Sequence, residues 1–188
     1  TGSLLARAEA FADGGRGAGT RATATAWTAL RLVLFLGVTF ASLPWILSSV
    51  GVSISDIPGL SGIFLGRQLV EGHPAVHLGA HHGWDGWLFI TLALAGSALV
   101  DGRSRVSGRL SRALVVTGCV LMFCYGVVAG AEDFVNEQLL KRGIEVAVYP
   151  LLARTYASAW YPPATAALGI VAGIAWFFAE APRKAARG

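Results

Sequence analysis

The chain has four histidines, His73, His77, His81 and His82, and all fall within ten consecutive residues. Imidazole is both a common metal ligand and the side chain that most readily changes charge near neutral pH. His77 and His81 are four residues apart, so on a helix they share a face and can converge on one ion. Pro74 suits a first helical position and Gly83 a helix end, which predicts a short helix over 74–82 with His73 near its N-cap. His82 lies about 100° around from His81 and joins the pair only where that helix unwinds near Gly83. Glu71, Asp85, Glu132 and Asp133 are the carboxylates expected nearby, to complete the ligand shell or orient the imidazoles from behind. Asp85 also fits the N-cap of the apolar segment that follows it. Imidazole with carboxylate suits copper(II), zinc or non-haem iron. Haem fits less well, because its axial histidines generally project from spanning helices. The other readings of the cluster are a pH sensor or proton relay, and ordinary hydrogen-bonded packing.

The His-x3-His-His spacing of His77, His81 and His82 resembles one histidine box of the membrane fatty-acid desaturases and hydroxylases. The resemblance covers six residues. Those enzymes carry several such boxes on the cytoplasmic side, whereas this chain has one, expected on the opposite side. The chain lacks His-Glu-x2-His, Gly-x-Ser-x-Gly, a phosphate-binding glycine loop and Cys-x2-Cys. The soft ligands Cys119, Met122 and Cys124 do not share a helical face and read as packing residues. No ionisable residue falls at the centre of an apolar run, so the usual mark of an ion-coupled transporter is missing.

These residues are held between long apolar runs. Hydrophobic residues make up 54% of the chain, charged residues only 14%, and the mean hydropathy is +0.59, against about 25% charged in soluble domains. Spans are expected at about 32–50, 84–100, 113–131 and 157–179, each close to the length that crosses a hydrocarbon core of about 30 Å. Eleven of the fifteen basic residues precede the first span, lie between the second and third, or follow the fourth. The positive-inside rule then puts both termini in the cytoplasm and the histidines outside. The net charge of +4 reads as a cytoplasmic excess facing anionic lipid, and nucleic-acid binding is set aside.

Residues 1–26 are expected to form a cytoplasmic amphipathic segment, with Leu4, Leu5, Ala8, Phe11 and Ala12 on one face, followed by a Gly/Ala/Thr/Arg linker. The first apolar run starts too late and runs too long for a secretory signal. Residues 27–188 make the transmembrane domain. Its outer loops, 51–83 and 132–156, are long enough to carry short helices. The stretches Phe64–Gly72 and Phe134–Gly143 resemble each other, and Arg31 to Gly37 matches Arg112 to Gly118, which points to a parallel repeat of two hairpins. Trp45, Trp84, Trp87 and Trp160 fit an outer aromatic belt.

The sequence therefore predicts an all-α polytopic membrane protein of four spans in the cell membrane. Its function is read as transition-metal binding at the outer face, for metal handling or as a small oxidase, oxygenase or hydrolase. The alternative is a non-catalytic subunit that meets other membrane subunits or further copies of itself through small-residue faces such as Gly118, Gly126 and Gly130.

Overall fold

The structure, a computed structural model, describes residues 23, 25–70, 72–76, 82–100, 106 and 108–179, with His82 described in its backbone alone. The amphipathic segment expected at the N-terminus, together with Glu71, His77 and His81, lies outside the described residues. The chain is mostly helical and divides into two compact units, Thr1–Gly37 and Val38–Gly188. The first unit holds the start of helix α1, Thr25–Ala41, with Trp27, Leu32 and Val33 exposed.

Within the second unit the α1 helix ends near Ser42 and α2, Leu43–Ser49, begins. Pro44 is the reason: its nitrogen carries no proton to donate, and its ring excludes the carbonyl four residues back. A 3-10 turn, Ile54–Asp56, follows, and then a two-stranded antiparallel hairpin of β1, Leu69–Val70, and β2, His73–Pro74. Val70 stands opposite His73 and Leu69 opposite Pro74. Pro74 is thus a strand residue in a hairpin, and the helix expected to start at it does not. The stretch Phe64–Val70 is likewise turn and strand, whereas its supposed counterpart Phe134–Arg142 is helical.

Helix α3 runs His82–Ala98, α4 Arg109–Phe134, α5 Tyr149–Tyr156 and α6 Tyr161–Ala179. The α4 helix continues through a π turn, Val135–Leu139, and a 3-10 turn, Leu140–Arg142, as one rod of 34 residues. Gly143, at φ 76°, stops it, because the left-handed conformation lets the 143 and 144 amides return to the carbonyls of Leu140 and Leu139. Pro162 and Pro163 fall in the first turn of α6, where missing amide protons cost nothing.

Two helices, Arg109–Arg142 and Tyr161–Ala179, are long and apolar enough to cross a membrane, and the bent pair α1 and α2 makes a third if taken as one span. At 17 residues α3 falls just short of that length. Apart from Ser111, the exposed side chains of α4 and α6, among them Leu110, Leu114, Leu168, Val171 and Phe178, are apolar, as lipid contact requires.

The α4 helix lies between α3 and α6, and glycine makes both contacts close. A Cβ placed on Gly86 of α3 would come within 2.6 Å of the Gly130 backbone, and one on Gly126 within 2.9 Å of the Gly86 carbonyl. On the other side, Cβ atoms on Gly169 and Gly173 would meet the Thr117 carbonyl at 2.6 Å and the Thr117 hydroxyl. The four-residue spacing of Gly126 with Gly130, and of Gly169 with Gly173, lets two helix backbones approach without side chains between them. Gly126 and Gly130, expected to serve contacts with other subunits, are therefore used inside the chain. Gly118 has open space around it. Gly86→Ala should cost about 1–3 kcal/mol in unfolding of the detergent-solubilised protein, while Gly118→Ala should be neutral or stabilising by up to about 1 kcal/mol.

Candidate functional site

At the C-terminal end of α4 and in the turns that extend it, a group of polar side chains is buried where helical periodicity would send several to the surface. Glu132, Asp133, Glu137 and Gln138 are 9%, 4%, 1% and 2% exposed. Buried polar groups need partners, and each of these holds a different part of the chain. Asp133 Oδ2 accepts the Gly83 amide of α3 at 2.6 Å. Glu137 Oε2 accepts the Trp45 indole N–H of α2 at 3.0 Å, and its other oxygen is 3.7 Å from Lys141 Nζ. Gln138 pairs with the Leu65 backbone in both directions, accepting its N–H at 2.7 Å and donating to its carbonyl at 2.9 Å. Lys141 donates to the carbonyls of Pro74 and Ala75, and Arg142 to that of Ile63. The π turn at 135–139 sets this register. An extra residue in one turn shifts the following side chains around the axis, and such turns recur at functional sites.

The carboxylates fall differently from expectation. Asp85 is expected at the N-cap of span two, but α3 begins three residues earlier, at His82, and Asp85 lies in its first turn. The capping role passes to Asp133 of the neighbouring helix, whose charge also meets the positive end of the α3 dipole. Glu132 and Asp133 are buried rather than solvated, and Glu132 accepts a hydrogen bond from Tyr149 Oη at 3.4 Å. Trp45 is not a belt residue. It is 3% exposed and its ring lies against Gly83, where an added Cβ would come within 2.5 Å of it. Trp160, by contrast, is exposed.

Of the histidines, His73 is exposed on β2, and His82 opens α3 one residue before the amide that Asp133 holds. Among the described residues, no three of His, Cys, Asp and Glu come together in a group able to hold a metal ion. The residues brought together are carboxylates and tyrosines, which the spacing argument does not anticipate. A trace of them is present in the sequence: Asp133, Glu137 and Lys141 follow at four-residue intervals on the same helical rod.

Beside this group a cleft of about 480 Å³ is lined by Asp85 and Phe89 of α3, Leu121 and Tyr125 of α4, and Pro162 and Thr165 of α6. Tyr125 stacks on Tyr161, with centroids 5.2 Å apart and rings 17° from parallel, and meets Phe89 edge to face at 5.4 Å. Tyr161 Oη donates to the Tyr125 carbonyl at 2.6 Å, tying the start of α6 to α4. Tyr156 of α5 joins the same rings.

Burial pushes the Tyr156 phenol well above its ordinary range, helped by the hydrogen bond with Tyr125 and the charges of Asp85 and Asp133. The Tyr149 phenol is raised by burial and then by Glu132. Both act as neutral donors at physiological pH.

No protein-family model matches the chain, and neither the curated proteins nor the solved structures contain a match to it.

Two outcomes are expected. Asp133→Ala should cost about 1–2 kcal/mol in unfolding, and Asp133→Asn, which keeps an acceptor for the Gly83 amide, should recover part of it. A raised phenol value means that the folded state holds its proton more tightly. Its stabilising contribution is therefore full below the unfolded value near 10.0 and is lost as pH climbs through the folded value. Unfolding measured against alkaline pH should steepen above that point, and less so in Tyr156→Phe.

Proposed function

We propose that the chain is a four-span protein of the cell membrane with cytoplasmic termini, whose outer face binds a transition metal through His73, His77, His81 and His82. Copper, zinc and non-haem iron fit the ligand chemistry. The role is metal handling, or the centre of a small membrane oxidase, oxygenase or hydrolase. The observation that carries this reading is the 2.6 Å hydrogen bond from the Gly83 amide to Asp133. It anchors the end of the histidine segment beside two buried carboxylates, Asp133 and Glu132, of the kind that orient metal-bound imidazoles. Glu71 and Asp85 are the other carboxylates within sequence reach of the segment. The four spans rest on α3 with its flanking turns and on the bent pair α1 and α2, and the orientation rests on the distribution of arginine and lysine. The parallel repeat is kept only as a relation between the two hairpins, since their outer segments fold differently.

The test is elemental analysis with an optical spectrum of detergent-purified protein beside His77→Ala/His81→Ala. Near-stoichiometric metal in the wild type and its loss in the double variant is the expected result. No metal in either sample after reloading with copper, zinc and iron, together with a co-purifying membrane partner, would replace this reading with that of a non-catalytic subunit.

A further inference from the structure

The cleft between α3, α4 and α6 has a composition of its own. Its walls are apolar and aromatic, formed by Phe89, Leu121, Tyr125 and Pro162, and among the described residues the one formally charged group lining it is the Asp85 carboxylate. The Thr165 hydroxyl donates its proton to the Pro162 carbonyl at 2.8 Å, which leaves its oxygen only as an acceptor. Among the described residues no hydrogen bond or salt bridge reaches the Asp85 carboxylate, and no lysine or arginine lines the cleft. Asp133 adds to the negative field, since it and Asp85 act on the same Tyr156 phenol. At about 480 Å³ the space falls within the roughly 300–1,000 Å³ of small-molecule sites, which are mostly apolar with a few placed polar groups.

Asp85 is half-buried, and a carboxylate beside apolar walls attracts a cation that can place its charge there and its body on those walls. An anion would be repelled by Asp85, and a neutral hydrocarbon would leave it unpaired. We propose that this cleft binds a small organic ammonium ion with an apolar or aromatic body, its charge at Asp85 and its body against Phe89 and Tyr125. Aromatic rings with one carboxylate are a combination suited to such cations, because the ring faces are negative. Asp85 is also among the carboxylates near the histidine segment, but cation binding in the cleft needs no metal there.

The experiment is calorimetric titration of the full-length, chelator-treated protein in detergent with benzylamine, benzyltrimethylammonium, benzyl alcohol and benzoate. Saturable binding of both cations at one per chain is expected, about tenfold or more tighter than the alcohol, with none for benzoate. Asp85→Asn should weaken the cations about tenfold and leave the alcohol unchanged. The proposal is overturned by benzyl alcohol binding as tightly as benzylamine, which would make the cleft a groove for hydrocarbon. Unchanged benzylamine affinity in Asp85→Asn, or no cation binding up to millimolar concentration, would overturn it equally. The ligand series on wild-type protein remains decisive even if the variant does not fold. Because the metal is removed beforehand, failure here leaves the histidine reading untouched, and absence of metal leaves this one untouched.

Discussion

The packing around the C-terminal end of α4 depends on buried carboxylates finding donors. A buried helix end leaves amide groups that need acceptors, and a buried carboxylate has the opposite need. Asp133 and the Gly83 amide meet both needs with one 2.6 Å hydrogen bond. Glu137 does the same for the Trp45 indole, and Gln138 for both backbone groups of Leu65. Three separate stretches, α2, the loop near Leu65 and the start of α3, are thereby fastened to one helical rod. Truncating any of these side chains leaves its partner unsatisfied as well as removing the bond, which is why such contacts matter more to order than their individual energies indicate.

Glycine makes the arrangement reachable. Gly86, Gly126 and Gly130 bring the α3 and α4 backbones together, and Gly169 and Gly173 do so for α4 and α6. Side chains at these positions would hold the helices apart, and the Asp133 carboxylate could not then reach the first turn of α3. The π turn after Phe134 adds the remaining adjustment by rotating Glu137 and Gln138 towards α2 and the loop. Close helix contact and polar fastening are thus one design, with dispersion forces holding the helices and hydrogen bonds setting their ends.

The same geometry separates two chemistries. Towards the loop side, carboxylates meet backbone amides, an indole and an ammonium group, and are matched. Towards α6, Asp85 lines an aromatic cleft that no basic group lines among the described residues. Neutral phenols at Tyr149 and Tyr156 border both regions and donate hydrogen bonds without adding charge. The matched set builds the platform on which the histidine segment ends, and the unmatched carboxylate marks the place where a cation would be welcome.

Composition and local spacing were enough to establish the helical class, the apolar runs and the concentration of histidines beside acidic residues. None of these requires knowledge of neighbours distant along the chain. Which carboxylate caps α3 was settled by packing, because Asp133 reaches it from fifty residues away and no local rule selects it over Asp85. Packing also took Trp45 from the surface into the interior, turned Pro74 into a hairpin residue, and used Gly126 and Gly130 within the chain rather than between chains. Glu137 and Gln138 have the residue types of an exposed polar pair, and only the close approach of α2 and the Leu65 loop gives them donors and acceptors. Local propensity fixes where helices form. Which polar groups are buried depends on what packs against them, and that is a property of the assembled chain.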